Sequence, residues 1–372
     1  AWAKDTKSEG KITFLADGGT ITGTGTTYVD ASGYAGYSDG LTGLASGSGT
    51  GGDISIATGT AGGSLSFGTL DVGADGNFID LTETSPNVGN GGNGTGGTIS
   101  ITLLSGTLNA SAIAIHANGT GIPASAQNGS FGATIFQSGN GKGGTASFDL
   151  TGGSATITTL AMHADGSGGS AESGNGVSTL GSFAGNGTGG SVRFTGSSGS
   201  LVTTSSSFTA DGYGGGTLPY SGFGIAGANA GNGTGGTAVF SLTGTASFTT
   251  TDLTLSASGQ GGQGGTAYDT GSAPPPVSTF TAGRGGDGTG GDASLTLTGG
   301  ALSASGTVRL SANGSGGAGG ENRTLGTAGA GGAGTGGAAA FTFASEGHSI
   351  AALEIGASGA GGAGGMARYI VG

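Results

Sequence analysis

Three histidines, at positions 116, 163 and 348, are the only imidazoles in the chain of 372 residues, and cysteine is absent. Metal chemistry and general-base chemistry therefore rest on very few groups. His116 and His163 each stand in an apolar-His-Ala-Asn/Asp-Gly setting, at equivalent points of neighbouring repeat copies. That placement stacks the two rings on one outer face. Two imidazoles are half of a zinc set, and the same column continues as Thr209 and Ser256 with no further ligand, which reads as a polar ladder and not as a metal site. A serine nucleophile needs a histidine that a carboxylate orients, and the sequence shows no aspartate partner for any of the three histidines. Asp149 and Asp252, the acids within strand segments, are isolated, so no facing carboxylate pair is in view for cleaving polysaccharide. The expectation is a non-enzymatic chain with no catalytic, cofactor or metal residues.

Two glycine-rich stretches have compositions that bear on ligand binding. Gly285-Gly286-Asp287-Gly288-Thr289-Gly290-Gly291-Asp292 has the composition of the nonapeptide that binds calcium in parallel β-rolls, but no repetition at that short period accompanies it. Calcium is thus the one ion with any candidate segment. Lys142 is the single lysine inside the glycine hexapeptides, and no Ser or Thr follows it as a phosphate loop requires. Asn-x-Ser/Thr triplets occur at Asn93, Asn109, Asn118, Asn128, Asn186, Asn232, Asn313 and Asn322, as expected by chance in a chain so rich in these residues.

Positioning any of these groups falls to a chain in which 95 residues are glycine and only 6 are proline. Disorder is disfavoured, because 33% of residues are hydrophobic and only 8% are charged, the reverse of the usual disordered balance. A formal net charge of -12 leaves no basic stripe for phosphates, which argues against nucleic-acid partners. No apolar run approaches the ~20 residues of a membrane helix, and Ala1-Trp2-Ala3-Lys4-Asp5 is no signal peptide, so a secretion signal would lie outside this sequence.

The organising feature is a repeat. Gly-x-Gly-Thr/Lys-Gly-Gly begins at Gly47, Gly92, Gly139, Gly185, Gly231, Gly286 and Gly332, a period of about 46 residues with one longer step around Pro274-Pro275-Pro276. A degenerate earlier copy fills the first segment. The whole chain reads as a single array, with units at 1-46, 47-91, 92-138, 139-184, 185-230, 231-285, 286-331 and 332-372, the last cut short. Within each unit the apolar residues alternate with period two, the mark of a strand buried on one face. Three short strands are expected per unit. The first carries pairs such as Ile99/Ile101 and Phe194/Val192. The second carries Leu65, Leu108, Ile157, Leu201, Phe248, Leu302 and Ile350, and the third runs Leu70/Val72/Ala74, Ile113/Ile115/Ala117 and Leu160/Met162/Ala164. Stacking the units sets like on like, so the expected fold is all-β: a parallel right-handed β-solenoid of about eight units, roughly 40 Å long at ~4.8 Å per coil.

At the corner after the third strand stand Ser32, Asp75, Asn118, Asp165, Asp211, Ser258, Asn313 and Ser358, each before a glycine; a second polar column runs Asn93, Asn140, Asn186, Asn232, Asp287. Such residues bond local backbone and suit a corner. Beyond it glycines recur every third residue, as at Gly259, Gly262 and Gly265, which suits either polyproline-II-like helices packed beside the strands or flexible loops. The non-repeating segments that follow hold Tyr34, Tyr37, Phe131, Phe136, Phe183, Tyr220, Phe223, Tyr268 and Phe280, the aromatics that fit no interior column and the candidate interaction surface.

The repeated Gly-Asn-Gly-Thr-Gly-Gly-Thr, the alternating strands and the Ala-x-Gly-x-Gly-Gly resemble the long repetitive exoproteins of Gram-negative bacteria, the filamentous-haemagglutinin-like and β-strand-repeat surface proteins, over nearly the whole chain. The resemblance implies a secreted or surface-exposed β-helical shaft with structural, adhesive or biofilm roles. Expected partners are further copies, joined head to tail through uncapped ends or laterally into filaments, and other cells or surface glycans. A ligand-binding adhesin acting through the variable loops is the alternative. An ice-binding solenoid built on Thr22, Thr24 and Thr26 is a third reading.

Overall fold

The computed structural model describes residues 10-35, 46-78, 90-124, 137-171, 183-217, 227-267 and 280-368. Among them there is no helix. All regular structure is β, in four sheets whose strands pair parallel and follow one another in chain order. The third coil shows the plan: Gly94–Thr95, Thr98–Leu103, Gly106–His116 and Gly119–Thr120, one strand for each sheet. The chain is a parallel β-solenoid, as its repeat implies.

The alternation predicted from the sequence sets the core. In Thr98–Leu103 the residues Ile99, Ile101 and Leu103 point inward, and register stacks them on Ile54, Ile56 and Thr58 before and Ala146, Phe148 and Leu150 after. Between this strand and the next, one glycine per coil adopts positive φ, for example Gly106 at 84°, Gly153 at 71° and Gly199 at 86°. A side chain there would meet the left-handed penalty, so the turn is reserved for glycine.

Two features depart from the sequence reading. The expected second and third strands are one continuous strand, Gly106–His116 in the third coil, interrupted only in the sixth coil between Ser247–Thr250 and Asp252–Ser256. In addition, Leu108 stacks on Ala155 and not on Ile157, which stacks on Ala110; Ile350 likewise stacks on Ala304 and not on Leu302. Period-two alternation leaves residues i and i+2 equally inward, so only the turn fixes which partner is met.

The fifth coil repacks the interior. Where its neighbours have Leu160 and Leu253 it has Ser206, and where they have Met162 and Leu255 it has the larger Phe208. The lost volume at one site is regained at the next, as close packing demands. Phe148, Phe194, Phe208, Phe240 and Phe248 form one fully buried cluster, with Phe194 and Phe240 stacked at 4.7 Å between centroids and Phe248 edge-on to both. The Ser206 hydroxyl is satisfied inside this core by Thr203 Oγ1 at 2.9 Å.

The glycine segments are ordered strips, one leaving and one returning in each coil. In the strip Gly259 to Ala267, the N–H groups of Gly261, Gly264 and Ala267 donate along the stack to Ser315, Ala318 and Glu321, while those of Gly262 and Gly265 donate across to Gly231 and Ala228. Donors of one class therefore recur every third residue, as a threefold extended helix requires. The cross-bonds join into a zigzag: Gly169 to Gly139, Gly185 to Gly169, Gly215 to Gly185, Gly231 to Gly215, Gly262 to Gly231 and onward to Gly362 on Gly332. The strips lie so close that a Cβ on Gly262 would sit 2.0 Å from the Gly215 carbonyl oxygen. The insertion around Pro274 to Pro276 lies outside the described residues.

Candidate functional site

The corner after the long strand holds Asp75, Asp211 and Tyr213, whose titration its burial shifts. Each ladder residue accepts, through its side chain, the backbone N–H of its successor one coil on: Asp75 Oδ1 from Asn118 at 2.6 Å, Asn118 Oδ1 from Asp165 at 2.8 Å, Asp165 Oδ1 from Asp211 at 2.7 Å and Asp211 Oδ1 from Ser258 at 2.6 Å. Ser32 begins the series and Asn313 extends it to Ser358. The hexapeptide column is built the same way, with Asn93, Asn140 and Asn186 each accepting at 2.8 Å, and Asp287 accepting from Ala333. Both ladders expected from the sequence are present.

Stacking acids at a half-covered corner has an electrostatic cost. Burial pushes the Asp75 carboxyl above the usual carboxylate range, against the opposing pull of the Asn118 N–H and the nearby His116. Burial likewise raises Asp211, against the Ser256 hydroxyl and the Ser258 N–H, with the Asp165 charge adding to the rise. Burial first, then the charges of Asp211 and Asp165, raise the phenol of Tyr213, whose hydroxyl lies 3.3 Å from Asp211 Oδ2.

His116 and His163 stack as expected, with centroids 5.4 Å apart and planes 4° from parallel. Their carboxylate neighbours were not legible: Asp71 lies 3.7 Å from His116 Nε2 on the preceding coil, and Asp165 lies 3.7 Å from His163 Nδ1 two residues on. Thr209 gives its one hydroxyl proton to Asp165 Oδ2, so its oxygen accepts from His163 Nδ1–H at 2.7 Å, which fixes that ring's tautomer. No group of three or more His, Asp or Glu able to hold a metal ion occurs among the described residues.

His348 and Ser345 make a hydroxyl–imidazole contact of 2.9 Å that the sequence did not announce. Its polarity is wrong for activating serine. His348 Nδ1 accepts the Leu302 N–H, so Nε2 carries the proton and donates it to the hydroxyl. Asp149 and Asp252 lie in different sheets, and Asp252 Oδ1 accepts the Thr307 N–H. In the calcium-like segment Asp287 is engaged by Arg284 and the Ala333 N–H, while Asp292 opens the strand Asp292–Leu297. Lys142 stands exposed in the strand Gly141–Lys142.

Of the nine candidate aromatics, Tyr34, Phe183 and Phe280 fall among the described residues; Tyr37, Phe131, Phe136, Tyr220, Phe223 and Tyr268 lie outside them. Tyr34 and Phe183 are exposed, Phe280 is half-buried, and no two of the three belong to neighbouring coils. The described parts thus bring no aromatic cluster together. Thr22, Thr24 and Thr26 do not form one flat row, because the pairing with Gly63–Gly73 shifts between Gly23 and Thr26. The outward column through Thr22 continues as Ser66, Asn109, Thr156, Val202, Thr249 and Ser303, a mixed series. Asn322, one of the Asn-x-Thr positions, is fully buried and holds its loop closed through the Phe280 and Thr327 carbonyls and the Thr324 N–H.

Comparison with protein-family models, with curated proteins and with solved structures returned no match.

Proposed function

We propose that this chain is a load-bearing section of an extracellular or cell-surface fibre, with no catalytic role. The observation that carries the reading is the direction of its hydrogen bonds. In all four sheets, in both polar ladders and in one class of bonds of each glycine strip, the bonds run from coil to coil along the stack. Tension spread over a whole coil face loads all the bonds of that coil-to-coil interface in parallel. The sequence resemblance to filamentous exoproteins supports the extracellular setting.

The last described coil supports association with a further layer. Phe343, Leu353 and Ile355 are exposed there, while Leu297, Val308 and Leu310, their partners one coil earlier, are buried. A further coil laid on this edge would cover them. Single-molecule pulling along the stack, together with electron microscopy of the purified chain at neutral pH, tests the reading. It predicts a single high-force rupture of the coil stack and fibres of constant width. Low-force, coil-by-coil peeling with a concentration-independent monomer would overturn it.

A further inference from the structure

One recess lies away from the corners and ends, on the outer face of the leaving strips. There every third residue is directed outward, and successive coils place Ser167 and Ser170, Tyr213 and Gly216, Gln260 and Gln263, then Ser315 and Ala318 side by side. Gly216 is the one member of this series without a side chain. Packing does not demand that glycine: a Cβ on it would meet nothing nearer than the Gln263 nitrogen at 3.7 Å, whereas one on Gly214 or Gly215 would lie 2.0 or 2.1 Å from a carbonyl oxygen. The missing side chain leaves open the middle of a shallow recess of about 480 Å³ between Tyr213, Gln260 and Gln263, floored by glycine backbone and bounded by Ala318.

The geometry points to this recess as a binding site for a neutral sugar residue of a glycan. Tyr213 is 41% exposed and its hydroxyl is tied to Asp211, which leaves an anchored ring as a platform for the C–H face of a pyranose. The carboxamides of Gln260 and Gln263 are exposed and engage no other described residue, so each offers two donors and an acceptor to sugar hydroxyls. None of the described lining residues is charged, and Asp211 behind the ring repels anions, which selects an uncharged ligand over a phosphorylated or uronic one. Its described lining comes from one chain, so it does not rest on fibre assembly. It also differs from the variable segments as a place for glycan contact.

The test is saturation-transfer NMR and calorimetry of the purified chain with cellotetraose, chitotetraose and maltotetraose at up to about 10 mM, a range that detects weak single-site binding. At least one probe is expected to bind, with Tyr213→Ala weakening it by about tenfold through lost stacking. Gly216→Gln installs the residue that the next coil carries at position 263 and is expected to block the recess beside Tyr213, abolishing binding while the circular dichroism spectrum is unchanged and the unfolding midpoint does not fall below the wild-type value. No binding by any of the three sugars, or equal binding by wild type and both variants, would overturn the assignment.

Discussion

Gly215 and Gly216 are sequence neighbours with opposite expected responses to the same substitution. A Cβ on Gly215 would stand 2.1 Å from the Gly169 carbonyl oxygen, against an ordinary separation near 3.4 Å, so the strips must part by more than 1 Å. That movement carries the Gly215-to-Gly185 and Gly231-to-Gly215 hydrogen bonds, both 2.9 Å, past bonding distance. Two buried peptide pairs left unmade cost about 1–3 kcal/mol each, offset by ~0.4–1 kcal/mol because alanine restricts the unfolded chain, so Gly215→Ala is expected to destabilise by about 1–5.5 kcal/mol. At Gly216 the added methyl meets open space and φ lies outside the left-handed range, so Gly216→Ala keeps only the favourable term, about 0.4–1 kcal/mol. Equilibrium unfolding in denaturant measures the difference. Amide exchange at Gly185, Gly231 and Gly262 reports whether the damage is confined to the zigzag, as expected where each coil touches only its neighbours. Equal stability of the two variants would refute the strip-packing argument.

Three further outcomes are expected. Phe194→Ala, removing a ring that meets Phe148, Phe208, Phe240 and Phe248, should destabilise by about 3–5 kcal/mol in denaturant unfolding. Asn140→Ala deletes the acceptor for the Asn186 N–H and should cost about 0.5–1.5 kcal/mol, while Asn140→Asp keeps the acceptor and most of the stability. Asp211 has a folded-state pKa above its unfolded one, so protonation favours the folded form: that contribution is full below the unfolded value of 3.8 and is lost as pH rises through the folded value. Asp211→Asn, which retains the oxygen facing Ser258, should therefore be more stable than wild type at pH 7, with the gap between their unfolding midpoints narrowing as pH falls toward 4.

The repeat made the solenoid legible because each signal on which it rests is local. Alternation in Thr98–Leu103 says which side chains turn inward, and the recurrence of Asn118 and Asp165 before glycine says where the corner falls. Register within the long strand was less legible, since Ile157 and Ala155 are both inward and the sequence favours the larger residue as Leu108's partner. The same bias hid the fifth coil: Ser206 breaks an apolar column on paper, and its compensation by Phe208 and Thr203 exists only once the coils are stacked.

The candidate sites were harder to read, for a reason that follows from the fold. In a solenoid with a period of about 46 residues, outward side chains on the strands meet either at a short spacing of two or three residues or a full coil apart, as Asp211 and Tyr213, and Asp75 and Asn118, do. Motif reading looks mainly at the first spacing. It therefore misses pairs such as Asp71 with His116, and a recess whose walls are Tyr213, Gln260 and Gln263. The glycine content hides sites in a second way. Nearly every strip glycine is there because a neighbouring carbonyl occupies the space of its Cβ, so the one at Gly216, which has no such neighbour, looks like all the rest in the sequence. Function on this surface is written in the departures from the column, a tyrosine where the neighbouring coils have serine and glutamine and a glycine where packing would accept a side chain. Only the stacked register turns those departures into a place where something else can bind.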